Sequence, residues 1–243
     1  MKSLAVAVPL APGMIEELRR FGAEVQGPRR NDHTESRRNL GITKELCFVQ
    51  PTPQGDIFVL YLEGENPVEA NKEFAASNSP YNLWFKEQAR PIFAPTGVDF
   101  SQPIPPISEQ LFEWDDPARN DEGRTLQPGV IVVPILPGKS ETFREAVASI
   151  RQERRSAHQE SRKRLGIYAE RVWIENTPQG DLLLGYFEAE DLQRVFTGLA
   201  TSQEPYDVWF RELNKEIVGV DLSQPLPVPP PELVLDWQDN RAS

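Results

Sequence analysis

The chain has 243 residues, enough for one large domain or two of ordinary size. Its net charge of −11 argues against a nucleic-acid partner, because proteins bind phosphates through Lys and Arg. A single cysteine excludes an internal disulfide framework and fits a reducing compartment, so we expect a cytoplasmic protein. No apolar run reaches the length of a membrane span, and we expect no membrane partner.

An internal repeat organises the sequence. Residues 29–87 and 154–212 are identical at 25 of 59 aligned positions without a gap, at an offset of 125 residues. Such self-similarity indicates a duplicated domain. A polar stretch with Pro and Gly separates the copies and reads as a linker. We therefore expect unit 1 over residues 1–116, a linker over 117–128 and unit 2 over 129–243.

Each copy opens with a short apolar strand (about 3–8 and 130–135), and a Pro-Gly pair then precedes a helix. In copy two, one series of residues recurs at steps of three and four, which predicts one face of a long helix: Phe143, Val147, Ile150, Arg154, His158, Ser161 and Leu165. In copy one, Gly27-Pro28 should kink or interrupt that helix, because proline lacks a backbone donor. A glycine follows the predicted helix in both copies, as is typical of a helix C-terminus.

Two apolar strands follow in each copy, joined by the same Thr-Pro-Gln-Gly-Asp turn, which is typical of a hairpin. The strands are apolar on both faces and therefore need cover on both sides. The helices of the same copy can cover one face, and the sheet of the other copy is the natural cover for the second. Two more helices are predicted, over about 67–76 and 190–200 and from Pro80 and Pro205 onwards.

The order β-α-β-β-α, with a late edge strand at 111–114 and 233–237, is the ferredoxin-like arrangement. With the Leu-Gly-Ile helix end, the Thr-Pro-Gln-Gly-Asp turn and the Pro-Tyr-x-x-Trp-Phe motif, the chain resembles the dimeric α+β barrel superfamily, as a tandem member of a little-characterised bacterial family. The resemblance implies an α+β fold of two tandem ferredoxin-like units packed sheet-to-sheet as an intrachain barrel. It also implies a monomer with pseudo-two-fold symmetry and a pocket between helices and sheet.

The histidines are the first candidates for a site. His33 and His158 are the two histidines of the chain and occupy the same place in each copy. They lie where a core-facing stripe becomes polar, which indicates a concavity that holds water or ligand. An imidazole there can transfer protons, and Arg29 and Arg154, one turn away, could orient an anionic group. The alternative is a buried histidine that bonds a backbone carbonyl or a Glu.

Other shared residues are candidate ligand contacts. These are Ser36, Ser161, Arg37, Arg162, Tyr61, Tyr186, Glu63, Glu188, Tyr81, Trp84, Tyr206 and Trp209. We expect the aromatic residues to be mostly core and the glutamates to form surface ion pairs, with a place on the pocket wall as the alternative for both. Glu45 and Glu170 are also shared. Each could pair with an arginine or serve as a carboxylate in the pocket, but we expect surface ion pairs there too. Cys47 aligns with Val172 and reads as a small core residue.

The superfamily includes cofactor-free monooxygenases, decarboxylases and isomerases, haem-handling enzymes and proteins without known activity. The first expectation is a small-molecule enzyme without cofactor, with equivalent His/Arg pockets in both copies. A ligand-binding or stress-associated barrel without turnover is the alternative. Haem binding is a second alternative, because haem needs one proximal histidine. A purely structural or interaction module also remains open. One His per copy, without Cys or a second His nearby, is poor for zinc.

Overall fold

The computed structural model describes residues 1–105, 107–119, 125–225 and 229–239. The chain forms two compact units, each an α+β domain of the ferredoxin-like type with a four-stranded sheet. Unit 1 comprises Met1–Ser108 and Pro230–Ser243, and unit 2 comprises Glu109–Pro229. None of the helices in the described ranges has the length and apolar character that crossing a membrane requires.

In unit 1, four helices accompany a sheet of four strands. Its elements are β1 (Lys2–Pro9), α1 (Ile15–Gln26), α2 (Arg30–Asn39), β2 (Ile42–Gln50), β3 (Ile57–Gly64), α3 (Pro67–Ala76), α4 (Pro80–Phe93) and, from the end of the chain, β8 (Glu232–Gln238). The sheet order is β1-β3-β2-β8, and these neighbours pair antiparallel.

Unit 2 repeats this plan at an offset of 125 residues. Its elements are β4 (Ser108–Asp115), β5 (Gln127–Pro134), α5 (Ser140–Arg151), α6 (Arg155–Leu165), β6 (Ile167–Thr177), β7 (Gly180–Ala189), α7 (Leu192–Thr201) and α8 (Pro205–Val218). The sheet order is β4-β6-β7-β5. The helices that we expected after the hairpin are therefore present in both units.

The unit boundaries differ from those expected at 1–116 and 129–243, because the fourth strands are exchanged. Strand β8 follows the second copy in sequence yet pairs with β2 in unit 1, and β4 lies beside β6 in unit 2. In unit 1, Arg19 of α1 donates two hydrogen bonds to the Glu232 carboxylate, at 2.8 and 2.6 Å. Sequence pattern indicates that a segment is a strand, but it does not indicate which sheet the strand joins. Of the expected linker, residues 120–124 lie outside the described part of the chain.

The long helix is interrupted in both units, so the prediction of an unbroken helix in copy two was wrong. The break in unit 1 lies at Gly27-Pro28, as predicted, but unit 2 breaks after Arg151 without any proline. In both units a wide turn marks the break: Arg29 N–H donates to Glu24 O at 3.0 Å, and Arg154 N–H to Ser149 O at 2.9 Å. A hydrogen bond between residues five apart widens the turn and changes the direction of the next helix. In unit 2 no residue type in the sequence indicates this geometry.

Two glycine predictions are confirmed. Gly166 ends α6 with φ of 74°, in the left-handed region where a helix C-terminus favours glycine. In the hairpin turn of unit 2, Gly180 has φ of 124° and the Thr177 hydroxyl donates to its carbonyl at 2.7 Å. These turns fix the register of β6 against β7 and so the position of the residues that β6 carries.

The site depends on which residues face the helices. Along β2, Glu45, Cys47 and Val49 alternate with Leu46 and Phe48, and all five are buried. Cys47 and Val49 belong to the core that α1 and α4 form on the sheet, so Glu45 shares the helix-facing side. The prediction of Cys47 as a core residue is confirmed.

Candidate functional site

A histidine, an arginine and a glutamate meet in unit 2. His158 and Arg162 lie four residues apart, and therefore on the same face of α6. His158 Nε2 lies 2.8 Å from Glu170 Oε2 on β6. Arg162 donates to both oxygens of the same carboxylate, from Nε at 2.7 Å and from Nη2 at 2.9 Å. Glu170 thus accepts hydrogen bonds from both side chains, and its own side chain is 16% exposed.

The charges in this cluster compensate each other. Burial alone raises the pKa of Glu170, but the Arg162 charge and the His158 hydrogen bond outweigh it and hold that pKa well below its usual range. Burial also lowers the pKa of His158 below its ordinary value, although the Glu170 hydrogen bond opposes the change. At neutral pH the cluster therefore holds a neutral imidazole, a carboxylate and a guanidinium, with a net charge of zero.

Unit 1 holds the same cluster in a different hydrogen-bond arrangement. Arg37 donates to both oxygens of Glu45, from Nη2 at 3.1 Å and from Nε over a shorter distance. His33 Nδ1 lies 2.8 Å from the Tyr81 hydroxyl, whereas its Nε2 lies 3.5 Å from Glu45 Oε2. Burial and the Arg37 charge lower the pKa of His33 to about 3. His33 is therefore neutral across the physiological range.

A cavity of about 140 Å³ adjoins the cluster in unit 2. It lies between the sheet and the helices, and its walls are mostly aliphatic and aromatic. The polar side chains among its lining residues are His158, Arg162, Glu170, Tyr186 and Asn214. The apolar lining residues include Ala146, Leu183, Gly185, Leu199 and Phe210.

Unit 1 has larger side chains at several of the same repeat positions. Phe21, Leu60 and Phe74 stand where unit 2 has Ala146, Gly185 and Leu199. The Phe21 and Phe74 rings lie 4.8 and 5.4 Å from the ring of Phe85, the counterpart of Phe210. Some positions differ the other way, such as Leu18 against Phe143 and Val25 against Ile150. The space beside Phe85 is thus occupied by rings in unit 1, whereas the corresponding space beside Phe210 borders the cavity in unit 2.

Arg29 and Arg154 lie apart from the cluster, although we expected them to orient an anion beside the histidines. Arg29 forms an ion pair with Asp32 at 3.2 Å, and its guanidinium lies 4.8 Å from the centre of the Trp84 ring. Arg154 lies over the Trp209 ring at 4.2 Å. Arg154 is not among the residues that line the cavity in unit 2. The arginine that joins each cluster is the one four residues after the histidine, Arg37 or Arg162. Spacing could not indicate this, because Arg29 and Arg154 stand four residues before the histidines.

The serines that both copies share join helices. Ser36 donates to Asn82 Oδ1 at 2.6 Å, and Ser161 donates to Asp207 Oδ1 at 2.5 Å. Each bond links the histidine helix to the helix that begins with Pro-Tyr. In the described part of unit 2 the buried hydroxyl of Tyr206 has no hydrogen-bond partner, whereas its counterpart Tyr81 bonds His33.

The strand-end candidates form a second polar group in each unit. The Tyr61 hydroxyl donates to Glu63, and the Tyr186 hydroxyl donates to Glu188 at 2.5 Å. Glu188 is buried and lies 2.7 Å from Arg119 Nη1. Of these residues, Tyr186 is among those that border the cavity.

The expectation of surface ion pairs at Glu45 and Glu170 was wrong. The Glu45 side chain is 3% exposed, and both carboxylates pair with an arginine of the helix above the sheet. The sequence offered a signal, since each Glu follows its histidine by 12 residues in both copies. A shared Glu on an otherwise apolar strand needs a buried partner, and the shared Arg supplies it.

Metal and haem sites find little support in the described side chains. No group of three or more His, Cys, Asp or Glu that could hold a metal ion occurs among the described residues. Haem ligation at His158 would require its Nε2, which bonds Glu170. A haem macrocycle also exceeds a cavity of about 140 Å³. The residues present do not fit haem.

Fold and site together define a protein of two ferredoxin-like α+β units. Each unit has its own buried His–Glu–Arg cluster, and a cavity lies beside the cluster of unit 2. A structure named "putative monooxygenase" from Lactobacillus acidophilus is similar over 98% of this chain and 97% of that chain, with a TM-score of 0.52 and 11% identity. This likeness shows a shared fold. No protein-family model matches the sequence, and the comparison with curated proteins found no match.

Two further structures are similar at lower scores. A "putative monooxygenase" from Fusobacterium nucleatum covers 97% of this chain and 96% of its own, with a TM-score of 0.49 and 8% identity. An "anthrone oxidase-like protein" covers 96% of this chain and 94% of its own, with a TM-score of 0.47 and 13% identity.

Proposed function

We propose that unit 2 binds a small molecule in its cavity and that the protein is a cofactor-independent enzyme in which His158 transfers a proton. One observation carries the proposal: a largely apolar cavity of about 140 Å³ has His158, Glu170 and Arg162 on its wall. Apolar cavities with a few convergent polar groups are typical of small-molecule sites.

The hydrogen bonds suit His158 for a proton-transfer role. Because the Glu170 carboxylate is ionised and can only accept, the neutral imidazole donates to it from Nε2–H. The basic lone pair then belongs to Nδ1. When Nδ1 takes a proton, the imidazolium lies beside a carboxylate, which stabilises the charge that forms. Arg162 holds that carboxylate in place through two hydrogen bonds.

Proton abstraction can be tested without knowing the natural substrate. Phenylacetone has one ring, no charge and acidic protons beside a carbonyl, and NMR in D2O reports their exchange for deuterium. We expect wild type to exchange these protons faster than buffer does, and His158→Gln to lose at least about 99% of the excess rate, the lower end of the usual range for a general base. His33→Gln is the matched control and should keep the excess rate.

Two results would contradict the role of His158 as a base. If both histidine variants keep the excess exchange, or if wild type gives none while a bound probe is seen, His158 is not a base for this chemistry. The second outcome would favour the other candidate, a binding protein without turnover. That candidate has an observation in its favour, since His158 Nε2 and Arg162 are already paired within the protein.

A further inference from the structure

We infer that the ligand of unit 2 is an uncharged molecule about the size of one aromatic ring, and that Ala146 and Leu199 set this limit. The inference rests on the proposed function and adds a ligand class to it. It follows from the size of the cavity, the charge of its wall and the residues that the other copy holds at the same positions.

Size gives the first limit. The cavity measures about 140 Å³. An engineered apolar cavity of about 150 Å³ in another protein binds benzene or xenon and stays dry. A single substituted ring therefore fits unit 2 with little rearrangement. Two fused rings would have to displace packed side chains, and displacement in a dense interior is costly.

Charge gives the second limit. Both nitrogens of Arg162 that face the cluster donate to Glu170, so the two formal charges on the wall neutralise each other. The third ionisable lining group, His158, has a pKa lowered by burial and is neutral at pH 7. An anionic or cationic ligand would enter without a compensating charge, which is strongly unfavourable in a buried site. A neutral ligand avoids that desolvation penalty.

The repeat identifies the residues that set the limit. Ala146 and Leu199 line the cavity, and their counterparts Phe21 and Phe74 pack on Phe85 in unit 1. A phenylalanine at position 146 or 199 would accordingly place a ring beside Phe210, in the space that the ligand needs. Ala146 and Leu199 are therefore specificity-determining positions.

The test compares four probes on the full chain: toluene, naphthalene, benzoate and benzylamine. Isothermal titration and the rise in melting temperature report binding, since a ligand that binds the native state raises its stability. We expect toluene to bind at least about tenfold more tightly than the other three, a difference of about 1.4 kcal/mol. Ala146→Phe should weaken toluene binding by at least about tenfold.

Two further variants serve as controls for Ala146→Phe. Ala148 is exposed on the same helix, so Ala148→Phe makes the same change away from the cavity and should leave toluene binding intact. Leu199→Phe repeats the test from another helix if Ala146→Phe does not fold. Binding of naphthalene or benzoate as tight as that of toluene, or toluene binding that survives Ala146→Phe and Leu199→Phe, would overturn the inference.

The two experiments distinguish a failure of the ligand class from a failure of the proposed function. His158-dependent exchange of phenylacetone without toluene binding would overturn the ligand class and keep the proposed enzyme. Absence of both toluene binding and phenylacetone exchange would overturn both.

Discussion

Units 1 and 2 hold the same buried cluster in different surroundings. Each has a histidine and an arginine on one helix face, and each arginine pairs with a glutamate of the facing strand. In unit 1 the neighbouring space holds the Phe21 and Phe74 rings, and in unit 2 the cluster borders a cavity of about 140 Å³. The cluster therefore does not mark a binding site by itself. The feature that distinguishes unit 2 is the set of small side chains beside its cluster.

The histidines differ as well. His33 bonds the Tyr81 hydroxyl, whereas His158 bonds the carboxylate of Glu170. A tyrosine partner in a packed core suits a structural histidine. A carboxylate partner beside a cavity suits one that changes its protonation state.

The largest effect should come from removing a carboxylate of the cluster. Glu45→Gln leaves the Arg37 charge buried and uncompensated, so we expect the free energy of unfolding to fall by about 3–5 kcal/mol. Glu170→Gln should lower it less, because the Glu170 side chain is 16% exposed and water can approach it. Urea denaturation measures both. The control is Glu35→Gln on the exposed face of α2, and a loss as small as the control's would contradict a buried pair.

Exchanging the side chains that distinguish the units should lower the free energy of unfolding much more in unit 1 than in unit 2. Phe21→Ala removes a ring from a packed cluster and should lower the free energy of unfolding by roughly 3–4 kcal/mol. Ala146→Phe fills existing space, and we expect a loss below about 1.5 kcal/mol or a gain. The same urea titrations test the pair. A larger loss for Ala146→Phe than for Phe21→Ala would contradict the cavity.

Acid should destabilise unit 1 through His33. Its pKa is about 3 in the folded protein against an ordinary value of 6.5, mainly because of burial. A histidine with a lowered pKa contributes full stability above pH 6.5 and loses it as the pH falls towards 3. Over that window His33→Gln should flatten the decline by about 4 kcal/mol. His158→Gln should flatten it less, because the Glu170 hydrogen bond opposes the shift at His158. Denaturation experiments from pH 7 to pH 3 measure the effect of both variants. Equal effects of His33→Gln and His158→Gln would contradict this difference between the units.

The smallest effect concerns the helix break. Unit 2 has the same wide turn without a proline, so Pro28 is not needed to form it in unit 1. We expect Pro28→Ala to lower the free energy of unfolding by about 0.5–1 kcal/mol, the entropy that proline removes from the unfolded chain. A loss of several kcal/mol would mean that the break depends on Pro28.

Local features of the fold were predictable, and long-range ones were not. The hairpin turns, the glycine after Leu165 and the proline-led helices follow from residue conformational preference. The exchange of β4 and β8 depends on pairing between distant segments, which alternation of side chains does not specify.

The site was predictable in part for a related reason. The repeat drew attention to His33 and His158, but spacing along one helix could not show that their partner lies across on a strand. The cavity depends on volumes at Ala146, Gly185 and Leu199, which are far apart in sequence. Comparing each with its counterpart in copy one gives the signal, and Gly185 against Leu60 is the plainest example.

The most direct measurement of the difference between the units is a crystal structure under xenon pressure. Xenon enters apolar cavities of this size without requiring a specific ligand. We expect one xenon site in unit 2, beside Ala146 and Phe210, and no xenon beside Phe85 in unit 1. Xenon beside Phe85, or a unit 2 cavity that stays closed to xenon, would contradict the assignment of the ligand site to unit 2.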